Sequence, residues 1–269
     1  MHTPPNTPPH CRTIALWLPT CGLLTLATCL TATTFASDAA MIISTSNDQA
    51  TASDHPATPA AHVHGSEQHW QALTETDFKN VNCSPDTWQW NGTHVHCTGT
   101  PVGVIRSVKP YTNFELVCSW RHLKDAGNSG IFVWSPIESL DRLDAPGLPE
   151  GIECQVLDLG YTAAYEQGGR TANWFTCHGD VFPVGASTMQ PFPPTSPNGR
   201  RSFPTAEHTK GTGDWNHYYI RAINGEVRLW VNGHEVSGGR QCTPNTGYLC
   251  LESEGSPIDF KDIRIRELP

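Results

Sequence analysis

No block of lysine or arginine occurs anywhere in the 269-residue chain, whose formal net charge is -9. It therefore has no electrostatic footprint for nucleic acid or for an anionic membrane surface. Charged residues make up only 16% of the sequence, which argues against a coiled coil, and long helical patterns are few. A continuous apolar run is missing too: Ile14 to Leu30 is broken by Pro19, Gly22 and several threonines. It falls short of the ~20 apolar residues of a membrane span. With Arg12 before it and the small-residue site Thr34-Phe35-Ala36 after it, residues 1–36 read as an export signal. The mature protein is expected to begin near Ser37, secreted or periplasmic. Leu26-Ala27-Thr28-Cys29 also allows a lipoprotein reading.

What is abundant points to strands and turns. Twenty-three glycines and twenty-two prolines fall without a repeat, as expected for an all-β domain of about 200 residues. Residues 37–67, rich in Ala, Thr, Ser, Asp, Pro and His, hold little to bury and are expected to be a disordered linker. His55, His62, His64 and His69 lie in or beside it, yet no Cys or carboxylate completes a ligand set at a fixed spacing. The domain proper is expected over residues 68–269.

Short alternating runs fill that domain. Thr93 to Cys97 and Val102 to Arg106 read as strand, turn, strand, and Phe114, Leu116, Cys118 and Trp120 share one apolar face. Asn128 to Trp134 is a further strand in which Gly130 allows a close approach. Asn224-Gly225 and Asn232-Gly233 separate three alternating runs, the signature of a meander with type I′ turns. In Ile258 to Arg266 the apolar positions change phase, which predicts a bulge near Lys261-Asp262. Cys83, Cys97, Cys118, Cys154, Cys177, Cys242 and Cys250 follow the signal; Cys83 with Cys97 and Cys242 with Cys250 are the expected disulfides. Cys118 and Cys154 fall on apolar faces, where thiols are inert.

The chemistry is expected on Gly151 to Asp158. Alternation points Glu153 and Gln155 one way and Ile152, Cys154 and Val156 the other. A one-residue bulge near Val156-Leu157 would bring the Asp158 carboxylate onto the polar side. The plainer reading of the same pattern is the solvated face of an edge strand. From Gly160 to Gly213 alternation is weak, and a loop of that length is expected to be functional. It carries Trp174, Phe175, His178, Asp180 and Phe182. Sugar rings present apolar CH faces to aromatic rings, so Trp174, Phe175 and Phe182 suit a carbohydrate cleft over which the loop folds, bringing His178 near Glu153; the plainer reading is that they plug the loop onto the sandwich as a satellite cluster.

Taken in order, Phe114-Glu115-Leu116, Asn128-Ser129-Gly130-Ile131-Phe132, Glu153-Cys154-Gln155-Val156-Leu157-Asp158, Trp215-Asn216 with Asn232-Gly233, and Phe260-Lys261-Asp262-Ile263-Arg264-Ile265 resemble the 3-keto-disaccharide hydrolase family, also described as 3-keto-glucoside 1,2-lyase or 3-keto-2-hydroxyglucal hydratase. The resemblance runs from about Trp70 to Leu268. It implies a concanavalin- or laminin-G-like antiparallel β-sandwich, or jelly roll, that cleaves an oligosaccharide or glycoside substrate by elimination at carbons 1 and 2 and/or hydrates the resulting 3-keto-2-hydroxyglucal. Under that reading Glu153 and His178 are the base and acid, Asp158 orients one of them, and Gln155, Asn128, Trp174 and Asp180 hold the sugar. Arg121 faces the enolate. No cofactor is required, although Glu153, Asp158, His178 and Asp180 would also suit a divalent cation. Glu153 and Asp158 are similar in rhythm to the catalytic strand of laminarinase-type glucanases, which keeps a retaining glycosidase open, as it does a non-catalytic carbohydrate-binding module.

Overall fold

The computed structural model describes residues 62–144 and 146–269. The expected export signal and the linker as far as residue 61 lie outside the described residues. Residues 62–67 are not free linker: Val63, with Trp70, packs against a buried cluster of Val117, Tyr219 and Trp230. Among the described residues no helix is long and apolar enough to cross a membrane.

The strands are β1 (Gln71–Ala72), β2 (Phe78–Asn80), β3 (Trp88–Asn91), β4 (His94–Cys97), β5 (Gly103–Ser107), β6 (Phe114–His122), β7 (Asn128–Ser135), β8 (Gly151–Leu157), β9 (Val181–Val184), β10 (Thr188–Pro191), β11 (Asn216–Ile223), β12 (Glu226–Val231), β13 (His234–Thr243), β14 (Tyr248–Ser253) and β15 (Ile258–Glu267). Two short helices, α1 (Ile137–Leu140) and α2 (Tyr161–Glu166), sit in connections. Among the described residues these strands form two antiparallel sheets, the sandwich expected of a jelly roll. One has the order β10-β13-β12-β11-β6-β15-β4-β3, with β1 added on β15; the other runs β2-β5-β14-β7-β8-β9.

Period-two burial explains the layers. Phe114, Leu116, Cys118 and Trp120 of β6, Ile131 and Val133 of β7, and Ile152, Cys154 and Val156 of β8 meet in one core. The β11-β12-β13 meander turns at Asn224-Gly225 (φ 52° and 73°) and Asn232-Gly233 (φ 50° and 92°), the left-handed pairs that a type I′ turn requires. In β15 the register slips between Lys261 and Arg264 around Asp262 (φ 53°), which places both Phe260 and Ile265 in the core. The strands β4 and β5, consecutive in sequence, belong to different sheets, so the Gly99-Thr100-Pro101 turn crosses the sandwich.

Two expectations fail here. The β8 pairing with β7 runs unbroken from Ile152 to Leu157, with no bulge near Val156-Leu157. All seven described cysteines are free thiols. Cys242 lies in the core between the sheets, whereas Cys250 packs on the opposite face of β14 beside Phe132 and Leu140; a layer of sheet separates them. Cys97 is fully buried and Cys83 only packs at the edge of the same core, both as thiols.

The Ile152 side chain is inaccessible to solvent and sits back to back with Glu153. Ile152→Ala should cost about 2 to 5 kcal/mol through lost burial and the cavity left behind, read as a lower urea midpoint at unchanged m-value.

Candidate functional site

β8 is an interior strand, flanked by β7 and β9, so its polar face is not a solvated edge. Glu153 and Gln155 are only 5% and 6% exposed. They face a cavity of about 230 Å³ on the outer side of the six-stranded sheet. Asn128 of β7, Glu252 of β14 and Glu254 just beyond it share that cavity, whose apolar walls are Leu148, Leu157, Tyr161, Trp174, Phe175, Phe182 and Val184.

Register and one glycine set the geometry. Gly130 pairs with Gln155 on one side, and Leu251 pairs with Ile131 on the other, which places Glu252 level with Gly130. A side chain at 130 would fill the space between them: a Cβ there would sit 2.5 Å from Glu252 Oε2 and 2.7 Å from Glu153 Oε1. Both distances run from the same point, so the two oxygens lie no more than about 5 Å apart, within the range at which paired carboxyls act on one bond. The close approach foreseen at Gly130 is thus one of carboxyl groups. Gln155 donates from Nε2 to Asn128 Oδ1 (3.0 Å) and to the Ser129 carbonyl (3.1 Å), and Asn128 donates in turn to Glu254 Oε2.

Burial pushes the Glu153 carboxyl up to about 8, aided by the nearby charges of Glu254 and Asp180 and opposed by Arg201. Burial raises Glu252 well above the carboxylate range and raises Glu254 as well. Among the described residues, the Glu252 oxygens have no hydrogen-bond partner other than the neighbouring Glu254 carboxyl.

Arg201 is the cation of the site. Its guanidinium lies 3.4 Å from the centroid of the Phe182 ring and 4.8 Å from that of Trp174, and it donates from Nη1 to Gln155 Oε1 at 3.2 Å. Asp180, inaccessible to solvent, takes a longer contact of 3.4 Å from the same nitrogen. The same carboxyl accepts from the Thr176 amide (2.9 Å) and hydroxyl (2.5 Å); burial nevertheless raises it to about 6. Asp180 thus anchors Arg201 from behind and does not line the cavity.

The residues picked from sequence part company at this point. Glu153, Gln155, Asn128 and Trp174 converge in the cavity. Without a bulge, Asp158 leaves the strand into a turn, where it accepts from the Ala126 amide (3.0 Å), the Gly160 amide (2.9 Å) and Thr212 (2.7 Å). Burial alone would raise it, but these donors outweigh that and hold it below the usual range. It shapes the turn and is absent from the pocket lining. His178 is also absent from it: Cys177 beside it is drawn into a satellite cluster with Leu157 and Phe175, and the imidazole contacts Glu207 at 3.6 Å. Arg121 sits on β6 in the other sheet, bound to Asp259 at 2.9 Å and stacked over Trp215. The set Glu153, Asp158, His178 and Asp180 therefore does not converge on a cation, and among the described residues no cluster of three or more His, Cys, Asp or Glu has ligand geometry.

Arg201, Glu252 and Glu254 were missed. The sequence carried a signal for the last two, because Glu252 and Glu254 repeat at period two at the end of β14, as Glu153 and Gln155 do on β8. Nothing local marks Arg201 among loop arginines. The loop itself is better ordered than its sequence implies, since α2, β9, β10 and a Val181–Ser202 bridge lie within it. A larger cavity of about 580 Å³ lies on the other sheet, by Phe192, His208, Arg228 and His234. There Arg228 is paired with Glu235 at 2.5 Å and the two imidazoles stack on each other at 3.9 Å, leaving the smaller pocket as the one with unpaired carboxyls.

Carboxyl groups, amides and an arginine set among aromatic walls on the face of a β-sandwich suit a sugar ligand. The chain belongs to the 3-keto-alpha-glucoside-1,2-lyase-like domain family, whose model matches residues 63–266. No curated protein matches it. It is similar in fold to a Parabacteroides distasonis protein provisionally named a glycosyl hydrolase, with 20% identity over 74% of this chain and 94% of that one and a TM-score of 0.52. A second such protein from the same organism shares 18% identity over 74% and 99% of the respective chains, with a TM-score of 0.51. The carbohydrate-binding module CBM66 of Bacillus subtilis is 11% identical over 70% and 94%, with a TM-score of 0.47.

The raised glutamates make stability depend on pH. Folded protein keeps protons that the unfolded chain releases near the ordinary carboxylate value of ~4.3, so their contribution is full below that value and is lost as pH rises. The Glu153 share of that loss runs through about 8. The wild-type thermal midpoint should fall across that window, and Glu252→Gln should flatten the decline, as scanning calorimetry at several pH values will show.

Proposed function

We propose that this pocket cleaves 3-keto-glycosides by elimination across carbons 1 and 2 and hydrates the resulting 3-keto-2-hydroxyglucal. The observation that carries the reading is Glu153: a buried carboxyl with its pKa pushed up to about 8, facing a small cavity beside an arginine. Family membership supports it. The cavity is smaller than the roughly 300 Å³ at which pockets for drug-sized ligands begin, a size suited to one sugar ring.

A ketone at carbon 3 acidifies the proton on carbon 2. Glu153, when ionised, removes that proton; the C–H electrons form the enolate, and the bond from carbon 1 to its oxygen breaks as the double bond shifts. A base with a pKa near the working pH serves this best. Arg201 faces the enolate oxygen in the role first given to Arg121, while Gln155 and Asn128 hold sugar hydroxyls. Glu254, half-buried and fixed by Asn128, gives the leaving oxygen its proton in the role first given to His178. In the hydration, water adds at carbon 1 as the ionised Glu254 takes its proton, and Glu153 returns its proton to carbon 2, so both groups regain their starting states.

The Glu153–Glu252 spacing would also suit a retaining glycosidase, but a carboxylate nucleophile must be ionised, and burial pushes both groups toward the neutral form. A module that only binds sugar has no use for a buried carboxyl without a partner, which costs stability.

The test is incubation with 3-keto-glucosides beside their unoxidised parents, with products followed by mass. Cleavage confined to the keto sugars is the expected outcome; cleavage of the parents instead would favour an ordinary glycosidase. Glu153→Gln should lower turnover by roughly 10²- to 10⁴-fold with binding retained and the thermal midpoint not lowered. Arg201→Met should cost about 10²- to 10³-fold in kcat with a smaller change in KM, as expected for a group aimed at developing charge. Unchanged kcat would remove Arg201 from the reaction.

A further inference from the structure

The segment before β1 crosses the outer face of the larger sheet, and histidines mark its path. Between ring centroids, His62 lies 4.5 Å from His217 of β11 and 4.7 Å from His64, with His64 and His217 6.2 Å apart. Val63, between the first two, seats with Trp70 against Val117, Tyr219 and Trp230. Gly65, buried at φ 65°, lets the backbone close on the sheet, since a Cβ there would meet Val117 at 2.9 Å and Trp70 at 3.0 Å. Residues 62–70 are thus a strap, held partly by apolar contact and partly by imidazoles packed on one another.

We infer that residues 62–70 are an acid-released strap: protonation of the His62, His64 and His217 cluster lifts the segment from the larger sheet and uncovers Val117, Tyr219 and Trp230. Three imidazolium ions so close together repel one another. Burial, and then the charge of His62, lower His217 to about 4; His64 adds to this, while a bond to the Val63 backbone and the Asp262 carboxylate of β15 oppose it. Burial lowers His62 as well, followed by His64 and Lys210. Beyond the Asn232-Gly233 turn, which His62 also adjoins, His234 and His208 stack on each other at 3.9 Å. The closed strap therefore binds fewer protons than the open one. Its hold is full above the ordinary histidine value of ~6.5 and weakens as pH falls from there toward the His217 value of about 4. Strap and pocket lie on different sheets, so the release does not depend on which reaction the pocket performs.

Cleavage of the full chain after Glu67 by a glutamate-specific protease tests the inference, because Glu67 lies within the strap and must come free to be cut. Each rate is divided by that of the free 62–72 peptide at the same pH; the ratio reads the open fraction when opening and closing are fast relative to cutting. From pH 7.5 to pH 5 the ratio should rise roughly 10-fold or more, the effect of moving one histidine by a pKa unit or more. His217→Phe keeps a ring but cannot take a proton, and should lose most of that rise. A ratio near one at pH 7.5, no rise in wild type, or a full rise in His217→Phe would overturn the strap. A parallel rise in cutting after Glu226 on β12 would do so too, because the whole domain would then be opening. If His217→Phe does not fold, His62→Phe, at the exposed end of the strap, should lose part of the rise, and full retention there counts equally against the inference.

Discussion

Three carboxyl groups crowded into a poorly hydrated pocket are the constraint on which the rest of the site depends. Each would prefer water, and each raises the cost of ionising its neighbours. The fold meets this by letting the acids keep their protons and by setting one guanidinium among them. That guanidinium needs support of its own. It is held between Phe182 and Trp174, with Asp180 behind and the Gln155 amide in front. Moving any of these supports would change how readily Glu153 ionises.

Floor and roof come from different parts of the chain. The floor is strand: β14, β7 and β8 present Glu252, Gly130, and Glu153 with Gln155, in fixed register. The roof is loop: α2 and the segment to Phe175 contribute Tyr161, Trp174 and Phe175, linked by edge contacts such as Trp174 on Phe175 at 4.9 Å. Trp174 donates to Tyr165 Oη at 3.3 Å while remaining 39% exposed, which puts a wet aromatic face at the mouth. Aromatic residues with one polar edge suit such a boundary.

Much of this was legible in the sequence, for local reasons. Strand alternation foretold the core face of β6 and the two faces of β8, because period two is imposed by the backbone. The Asn-Gly pairs and the phase change at Asp262 foretold turns and a bulge, because left-handed backbone is demanded there. The errors fell where position depends on distant partners. Asp158 was given a bulge that β7 does not allow, and its carboxyl was claimed by Ala126, Gly160 and Thr212. His178 was placed by composition, whereas the fold of its loop is set by Cys177 and Asp180. Arg121 and Arg201 are indistinguishable by local pattern; sheet order alone puts one behind the sandwich and the other in the pocket. Proximity in sequence misled for Cys242 and Cys250, which a sheet separates.

The floor of the pocket is also tied through the core to the opposite sheet. The β9 ladder stops at Cys154, so the next carbonyl, that of Gln155, is free to accept from the buried Tyr218 hydroxyl of β11 at 2.6 Å. The Val156 carbonyl is met by His122 Nε2 of β6 at 3.1 Å. These bonds cross the full thickness of the sandwich. The peptide groups beneath Glu153 and Gln155 therefore cannot open to solvent unless both sheets part, whereas the roof from α2 to Phe175 is held by side chains and can open by itself. In hydrogen exchange the two halves of one pocket would belong to separate cooperative units, a rigid bed at the stability of the whole domain under a cover that breathes far more often.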